Sequence, residues 1–170
     1  MPEDRPDSPT LTAAFKQADS SGKTALLFSS WFGSGLAPFA PGTFGTLAAL
    51  PLIIVLSYLG PVYEVVTLIV IIPLAVWASD AGRMLLKKDD PSEIVIDEAA
   101  GMFLAVFLLP LSWSSFILGF LLFRLFDIIK PFPIGMIDRK VRGGAGIVLD
   151  DIVAGIYANI CVRVVLALFL

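Results

Sequence analysis

Three long apolar blocks leave this chain few folds to choose from. Residues 47–78 carry one charge, Glu64, residues 99–123 carry none, and residues 152–170 carry only Arg163. A membrane-crossing helix needs about 20 apolar residues, so the first block is too long for one span. Gly60 and Pro61 divide it, which predicts a helical hairpin. The middle block admits two readings. As one tilted helix it would be roughly 37 Å long at 1.5 Å per residue and would span comfortably. That reading puts Asp97 and Glu98 on the opposite side of the membrane from Asp127. Alternatively, Pro110, Ser112, Trp113, Ser114 and Ser115 mark a turn, and the block enters and returns as two short, shallow or re-entrant helices buried by their neighbours. Charge favours the second reading. With both blocks folded back, all twelve Lys and Arg residues except Arg163 fall on one face, and the positive-inside tendency makes that face cytoplasmic. The expected fold is all-α: a polytopic membrane helical bundle with short or broken helices.

Composition agrees and closes off other classes. A 57% hydrophobic content, 16% charged residues and a mean hydropathy of +0.88 are too apolar for an ordinary soluble domain. A net charge of −3 argues against a nucleic-acid partner, whose phosphates call for excess Lys and Arg. The single cysteine, Cys161, cannot form an intrachain disulfide. The chain has no histidine, so proton transfer falls to carboxylates, lysine, tyrosine or metal-bound water, and histidine triads are excluded. Residues 1–24 are polar, rich in Pro, Asp and Ser, and lack the pattern of a secretory signal. They are expected to form a flexible tail before a membrane-embedded unit over residues 25–170.

The charges that remain are concentrated. Arg124, Asp127, Lys130, Asp138, Arg139, Lys140, Arg142, Asp150 and Asp151 lie between two apolar stretches, and Asp97–Glu98 sits at the mouth of the middle block. Carboxylates at the edge of a hydrocarbon-seeking segment are costly unless they hold something positive. Each pair alone could merely favour a helix N-terminus. Two pairs plus Asp127 on one face point to Mg²⁺, a hard cation that takes a few carboxylate oxygens and keeps room for waters and phosphate oxygens. Lys130 is the expected neutraliser of a phosphate, with Arg124 and Arg139 as weaker candidates. Asp97 and Asp151 each precede a glycine by four residues, Gly101 and Gly155. One helical turn places each glycine beside its acid, where another helix can approach closely. Thr43 and Thr46 lie in a Pro- and Gly-rich entry segment and either donate to an anion or cap a helix. Gly22-Lys-Thr24 and Gly33-Ser-Gly35 imitate nucleotide-binding loops, but each lacks a required glycine.

Four stretches, in order, resemble the signatures of the bacterial phosphatidylglycerophosphatase A family. They are residues 35–46 (Gly-Leu-Ala-Pro-Phe-Ala-Pro-Gly-Thr-Phe-Gly-Thr), 90–101 (Asp-Pro-Ser-Glu-Ile-Val-Ile-Asp-Glu-Ala-Ala-Gly), 123–134 (Phe-Arg-Leu-Phe-Asp-Ile-Ile-Lys-Pro-Phe-Pro-Ile) and 146–155 (Gly-Ile-Val-Leu-Asp-Asp-Ile-Val-Ala-Gly). The resemblance runs from about residue 33 to 157; Phe132 stands where an aromatic, often Trp, is usual, Ile96 replaces what is often an aromatic, and neither departure removes a charge. It implies a Mg²⁺-dependent inner-membrane phosphatase converting phosphatidylglycerophosphate to phosphatidylglycerol and phosphate. On this reading Asp97, Glu98, Asp127, Asp150 and Asp151 hold the metal at the cytoplasmic interface, and Lys130 serves the phosphate. Two rivals predict otherwise. A small membrane transporter or scaffold would use the charges as structural ion pairs and show no Mg²⁺-dependent turnover. A CDP-alcohol phosphotransferase would need a glycine- and arginine-containing multi-Asp signature that is absent.

Overall fold

The computed structural model describes residues 8–169, and every regular element among them is helical. The order is α1 (Leu11–Gln17), α2 (Ser20–Ser29), α3 (Pro41–Leu59), α4 (Pro61–Leu86), α5 (Ile96–Val106), α6 (Trp113–Ile129), α7 (Ile134–Lys140) and α8 (Gly144–Phe169). Helices α3, α4 and α8 are long and apolar enough to cross a membrane. Their outer faces expose Val55, Val66, Ile69, Ile160 and Leu168, as surfaces solvated by lipid tails do.

The sequence dictates most of the boundaries. Pro41 and Pro61 each occupy a first helical turn, where a missing N–H costs nothing. Gly60, at φ 112°, makes the sharp reversal between α3 and α4. The middle block bends back as charge placement predicts: α5 and α6 are separate helices, and the Ser112 side chain caps α6 by accepting from the Ser115 N–H at 3.1 Å. Two expectations fail at the ends. Residues 11–24 are helical rather than tail-like, because Thr10 and Asp19 supply N-caps and Leu11 and Ala14 find burial; residues 1–7 lie outside the described part. The final helix begins at Gly144, so Asp150 and Asp151 lie in its second turn and are not at its N-terminus.

Helix α5 is the centre of the bundle. At about 16 Å it is too short to span a bilayer core of about 30 Å, and almost all its side chains are buried. Such a helix must end inside the protein with its last carbonyls satisfied. Asn159 of α8 donates to Ala105 O (3.2 Å) and Phe107 O (3.0 Å), and Arg163 donates to Phe107 O (2.8 Å) and Leu108 O (3.2 Å). Glu64, buried near the start of α4, accepts from the Leu108 N–H at 2.8 Å. The two charges inside otherwise apolar blocks therefore cap the blunt end of α5.

Helix α5 packs most extensively against α8. In lipid there is little hydrophobic gain from helix pairing, so close backbone approach matters more. A Cβ at Gly155 would strike Gly101 O, and one at Gly101 would meet the Phe123 ring at 2.5 Å and Asp151 O at 2.8 Å. This contact lies one turn from Asp97 and Asp151 and sets their separation. Gly155→Leu is expected to force the helices apart and cost about 1–3 kcal/mol of stability. Thermal unfolding in detergent checks this; an unchanged midpoint contradicts the tight crossing.

Candidate active site

The acidic residues come from three helices that meet at one end of the bundle. Asp97 and Glu98 stand in the first turn of α5, whose start is fixed by the fully buried Val95 and Ile96 and by the Val95 N–H donating to Ser29 O at 2.8 Å. Asp127 lies in the last turn of α6, and Asp150 and Asp151 face inward from α8. Gly42, in the first turn of α3, closes one side: a Cβ there would collide with the Glu98 carboxylate. A cleft of about 780 Å³ opens among these groups, lined by all five acids together with Arg83, Lys130, Asp138, Arg139 and Arg142.

Carboxylate oxygens of Asp97, Glu98 and Asp151 lie within 4.8 Å of one another, and so do those of Asp127, Asp150 and Asp151. Asp151 belongs to both triads. Their electrostatic surroundings differ. Asp127 lies 2.7 Å from Arg124 Nη1, and Asp150 accepts from Lys130 Nζ at 2.7 Å. Asp97, Glu98 and Asp151 have no basic partner at salt-bridge distance among the described residues, and Asp97 Oδ1, Glu98 Oε2 and Asp151 Oδ1 are buried with no hydrogen-bond donor. Like charges about 4 Å apart repel by roughly 4 kcal/mol at an effective dielectric near 20. Orphaned hard oxygens at this spacing fit a divalent cation of the Mg²⁺ type, which takes carboxylate ligands.

The basic and hydroxyl candidates separate clearly. Lys130, in a left-handed cap after α6 (φ 47°), donates to Asp138 at 2.6 Å and to Asp150 at 2.7 Å. Burial alone would depress its ammonium, but the two carboxylates outweigh it and hold the pKa above its ordinary value. Lys130 therefore stays charged and keeps one of three N–H donors unassigned. It pairs with Asp138 and Asp150; Asp127, the closer acid in sequence, pairs back to Arg124. Arg139 is exposed at the cleft, whereas Arg124 does not line it. The threonines do not reach it either. Thr46 is buried with its hydroxyl donating to Gly42 O at 2.8 Å, a bond one turn back along its own helix. Thr43 is half-buried away from the cleft, and Ala40, not a threonine, caps α3. Sequence reasoning missed Asp138 as the second partner of Lys130, and Arg83 and Arg142 as cleft residues. Lone charges in a basic run carry no pairing signal of their own.

A model of the phosphatidylglycerophosphatase A family matches residues 27–166. The phosphatidylglycerophosphatase A of Escherichia coli (strain K12) is 40% identical over 128 residues, covering 74% of this chain and 73% of its own length. That of Haemophilus influenzae is 41% identical over 133 residues, covering 77% and 82%. A protein of Bacteroides thetaiotaomicron with the provisional name phosphatidylinositol-3-phosphatase is 35% identical over 147 residues, covering 82% and 91%. No solved structure matches the chain.

Lys130→Met is expected to leave buried Asp150 unpaired and to cost about 3 kcal/mol in stability. Asp138→Asn, at the exposed end of the same bridge, should shift the unfolding midpoint far less. Thermal unfolding in chelator distinguishes the two; equal shifts contradict the burial argument.

Proposed function

The chain belongs to the phosphatidylglycerophosphatase A family, and from that premise we propose that it removes the terminal phosphate of phosphatidylglycerophosphate, using Mg²⁺ held by its five clustered acids. It is a phosphatase and a membrane protein. The observation that carries the finer reading is the pair of carboxylate triads joined at Asp151, open to a cleft that also presents cations. A phosphomonoester is close to a dianion at neutral pH, and five bare carboxylates would repel it. Cations in the triads reverse that sign.

Asp97, Glu98 and Asp151 would hold one ion, and Asp127 and Asp150 would share Asp151 around a second. Bound Mg²⁺ supplies Lewis-acid polarisation of phosphoryl oxygens and a lowered water pKa. The chain's own groups do the rest. Lys130 fixes Asp150 in place and keeps a donor for a phosphoryl oxygen. Arg139, exposed at the cleft, adds a positive charge to a transition state whose charge spreads over the equatorial oxygens. With no histidine in the chain, a carboxylate of the cluster takes the proton of the attacking water. Burial of the acids at the end of α5 keeps bulk solvent from screening these interactions.

Orientation follows from charge. Lys16, Lys23, Arg83, Lys87, Lys88, Arg124, Lys130, Arg139, Lys140 and Arg142 lie toward the cleft end of the helices, and Arg163 lies toward the other. By the positive-inside tendency, this distribution supports a cleft that faces the cytoplasm across a bacterial inner membrane. In a Cys161→Ala background, Lys140→Cys should react with an impermeant thiol reagent from the cytoplasmic side and Val62→Cys from the opposite side. The reverse pattern overturns the orientation.

Asp97→Asn, Asp127→Asn and Asp151→Asn should each lower kcat for phosphate release by about 10²–10³-fold, as loss of a transition-state electrostatic contact does. Asp151→Asn should also raise the Mg²⁺ concentration needed for half-activation most, because both triads lose a ligand. Chelator should abolish release and Mg²⁺ restore it. Phosphatidylinositol 3-phosphate, assayed beside phosphatidylglycerophosphate in detergent, should be the poorer substrate. Undiminished turnover by all three variants, or turnover in chelator, overturns the reading.

A further inference from the structure

Beside the acid cleft lies a second, mostly apolar groove that shares part of its wall. Arg83, Arg142 and Gly143 line both spaces. The groove, about 840 Å³, runs between α4 and the start of α8, with Pro73, Trp77 and Met84 along the α4 side. From Pro73 to Met84 it follows α4 for about 16 Å at 1.5 Å per residue, close to half of a bilayer's hydrocarbon core. Trp77 and Met84 are exposed there. A chain-lined trough of leaflet depth thus ends at two arginines, and the acids lie on their far side.

The arginines are differently held. Arg83 Nε donates to Asp80 at 2.8 Å, and Asp80 also accepts from the Gly144 N–H at 3.0 Å, tying the guanidinium to the start of α8. The terminal nitrogens of Arg83, and all of Arg142, have no acceptor among the described residues. Gly143, at φ 78°, brings the backbone past Arg83, whose Nη2 would lie 3.4 Å from a Cβ there. Two guanidinium groups with free donors, between an apolar trough and a phosphatase cleft, match one chemical group: a phosphodiester joined to diacylglycerol.

We infer that Arg83 and Arg142 bind the internal phosphodiester of the substrate, with its acyl chains in the α4–α8 groove, and so select lipids carrying a diester as well as a terminal monoester. The inference rests on the lipid-phosphatase reading and deepens it. Phosphatidylglycerophosphate and phosphatidylinositol 3-phosphate both have this two-phosphate layout. Phosphatidate has the monoester alone, attached directly to diacylglycerol. For a two-phosphate lipid, the arginines fix how far the monoester reaches toward the acids; for phosphatidate they meet no diester.

The test measures kcat/KM on phosphatidylglycerophosphate and on phosphatidate in mixed micelles with Mg²⁺, for the full chain and for Arg142→Gln and Arg83→Gln. Each variant should lower the ratio of the two specificities by about tenfold, chiefly through KM for the two-phosphate lipid, as expected for one charge-assisted contact. Asp97→Asn should depress both substrates together and leave the ratio unchanged. Arg142 is exposed and has no partner among the described residues, so Arg142→Gln remains decisive if Arg83→Gln loosens the Asp80 bridge and fails to fold. An unchanged ratio in a folded Arg142→Gln protein overturns the diester site while leaving the phosphatase reading intact. Absence of turnover on either lipid by the unaltered chain overturns both.

Discussion

Five carboxylates crowded at the end of an apolar bundle are the constraint around which this structure is organised. Charge of one sign cannot be concentrated near hydrocarbon without compensation. The chain compensates only part of it. Asp127 and Asp150 are matched by Arg124 and Lys130. Asp97, Glu98 and Asp151 are left with buried, donor-less oxygens. A chain shaped only for stability would have removed the second group or paired it. Its presence, buried and unpaired, is the physical ground for reading the cluster as a place where a cation and a phosphate meet.

The architecture makes that concentration feasible. A full-length span at the position of α5 would carry its first-turn acids at one membrane surface with no element behind them. A short α5 instead stops inside the bundle, surrounded by α3, α4, α6 and α8. The cost of stopping falls on its C-terminal carbonyls, and Asn159 and Arg163 meet it from α8. The same α8 supplies Asp150 and Asp151 two to three turns earlier. One helix therefore closes the blunt end of α5 and completes the acidic cluster at its other end, with the Gly101–Gly155 contact between them fixing the spacing.

Much of this was legible because the signals were local or electrostatic. Pro and Gly at 60–61 and the Pro110–Ser115 stretch marked the two reversals, and the distribution of Lys and Arg decided between one crossing and a hairpin where length alone pointed the other way. The repeated Asp–x–x–x–Gly spacing marked the helix crossing. What escaped notice had a different origin. Helices α1 and α2 are short, and their caps at Thr10 and Asp19 could not be told from turn residues in a polar stretch. Thr46 is a hydroxyl whose partner is its own helix, and nothing in its neighbours announces that. The pairing of Lys130 with Asp138 and Asp150 joins residues 8 and 20 positions apart, beyond the reach of any helical spacing rule.

The basic residues show most clearly how position, more than count, assigns a role. Of the eleven within the described residues, all but Arg163 lie toward the cleft-bearing side, which supports the proposed orientation and says nothing about which of them meets substrate. The structure sorts them by what they already hold. Arg124 is committed to Asp127 and sits outside the cleft, so its charge is internal compensation. Lys130 is committed twice and keeps one donor, so it can adjust a phosphate but cannot carry one alone. Among the described residues, Arg83 is held through Nε with no acceptor at its terminal nitrogens, and Arg142 has no acceptor at all. A guanidinium that is oriented yet unspent is the better anion receptor, because the entropy of fixing it is lost on folding and not on binding. On the proposed function a division of labour follows: the acids and the paired cations would define where the chemistry occurs, and the unspent arginines at the edge of the cleft would select which phosphorylated lipid arrives there in register.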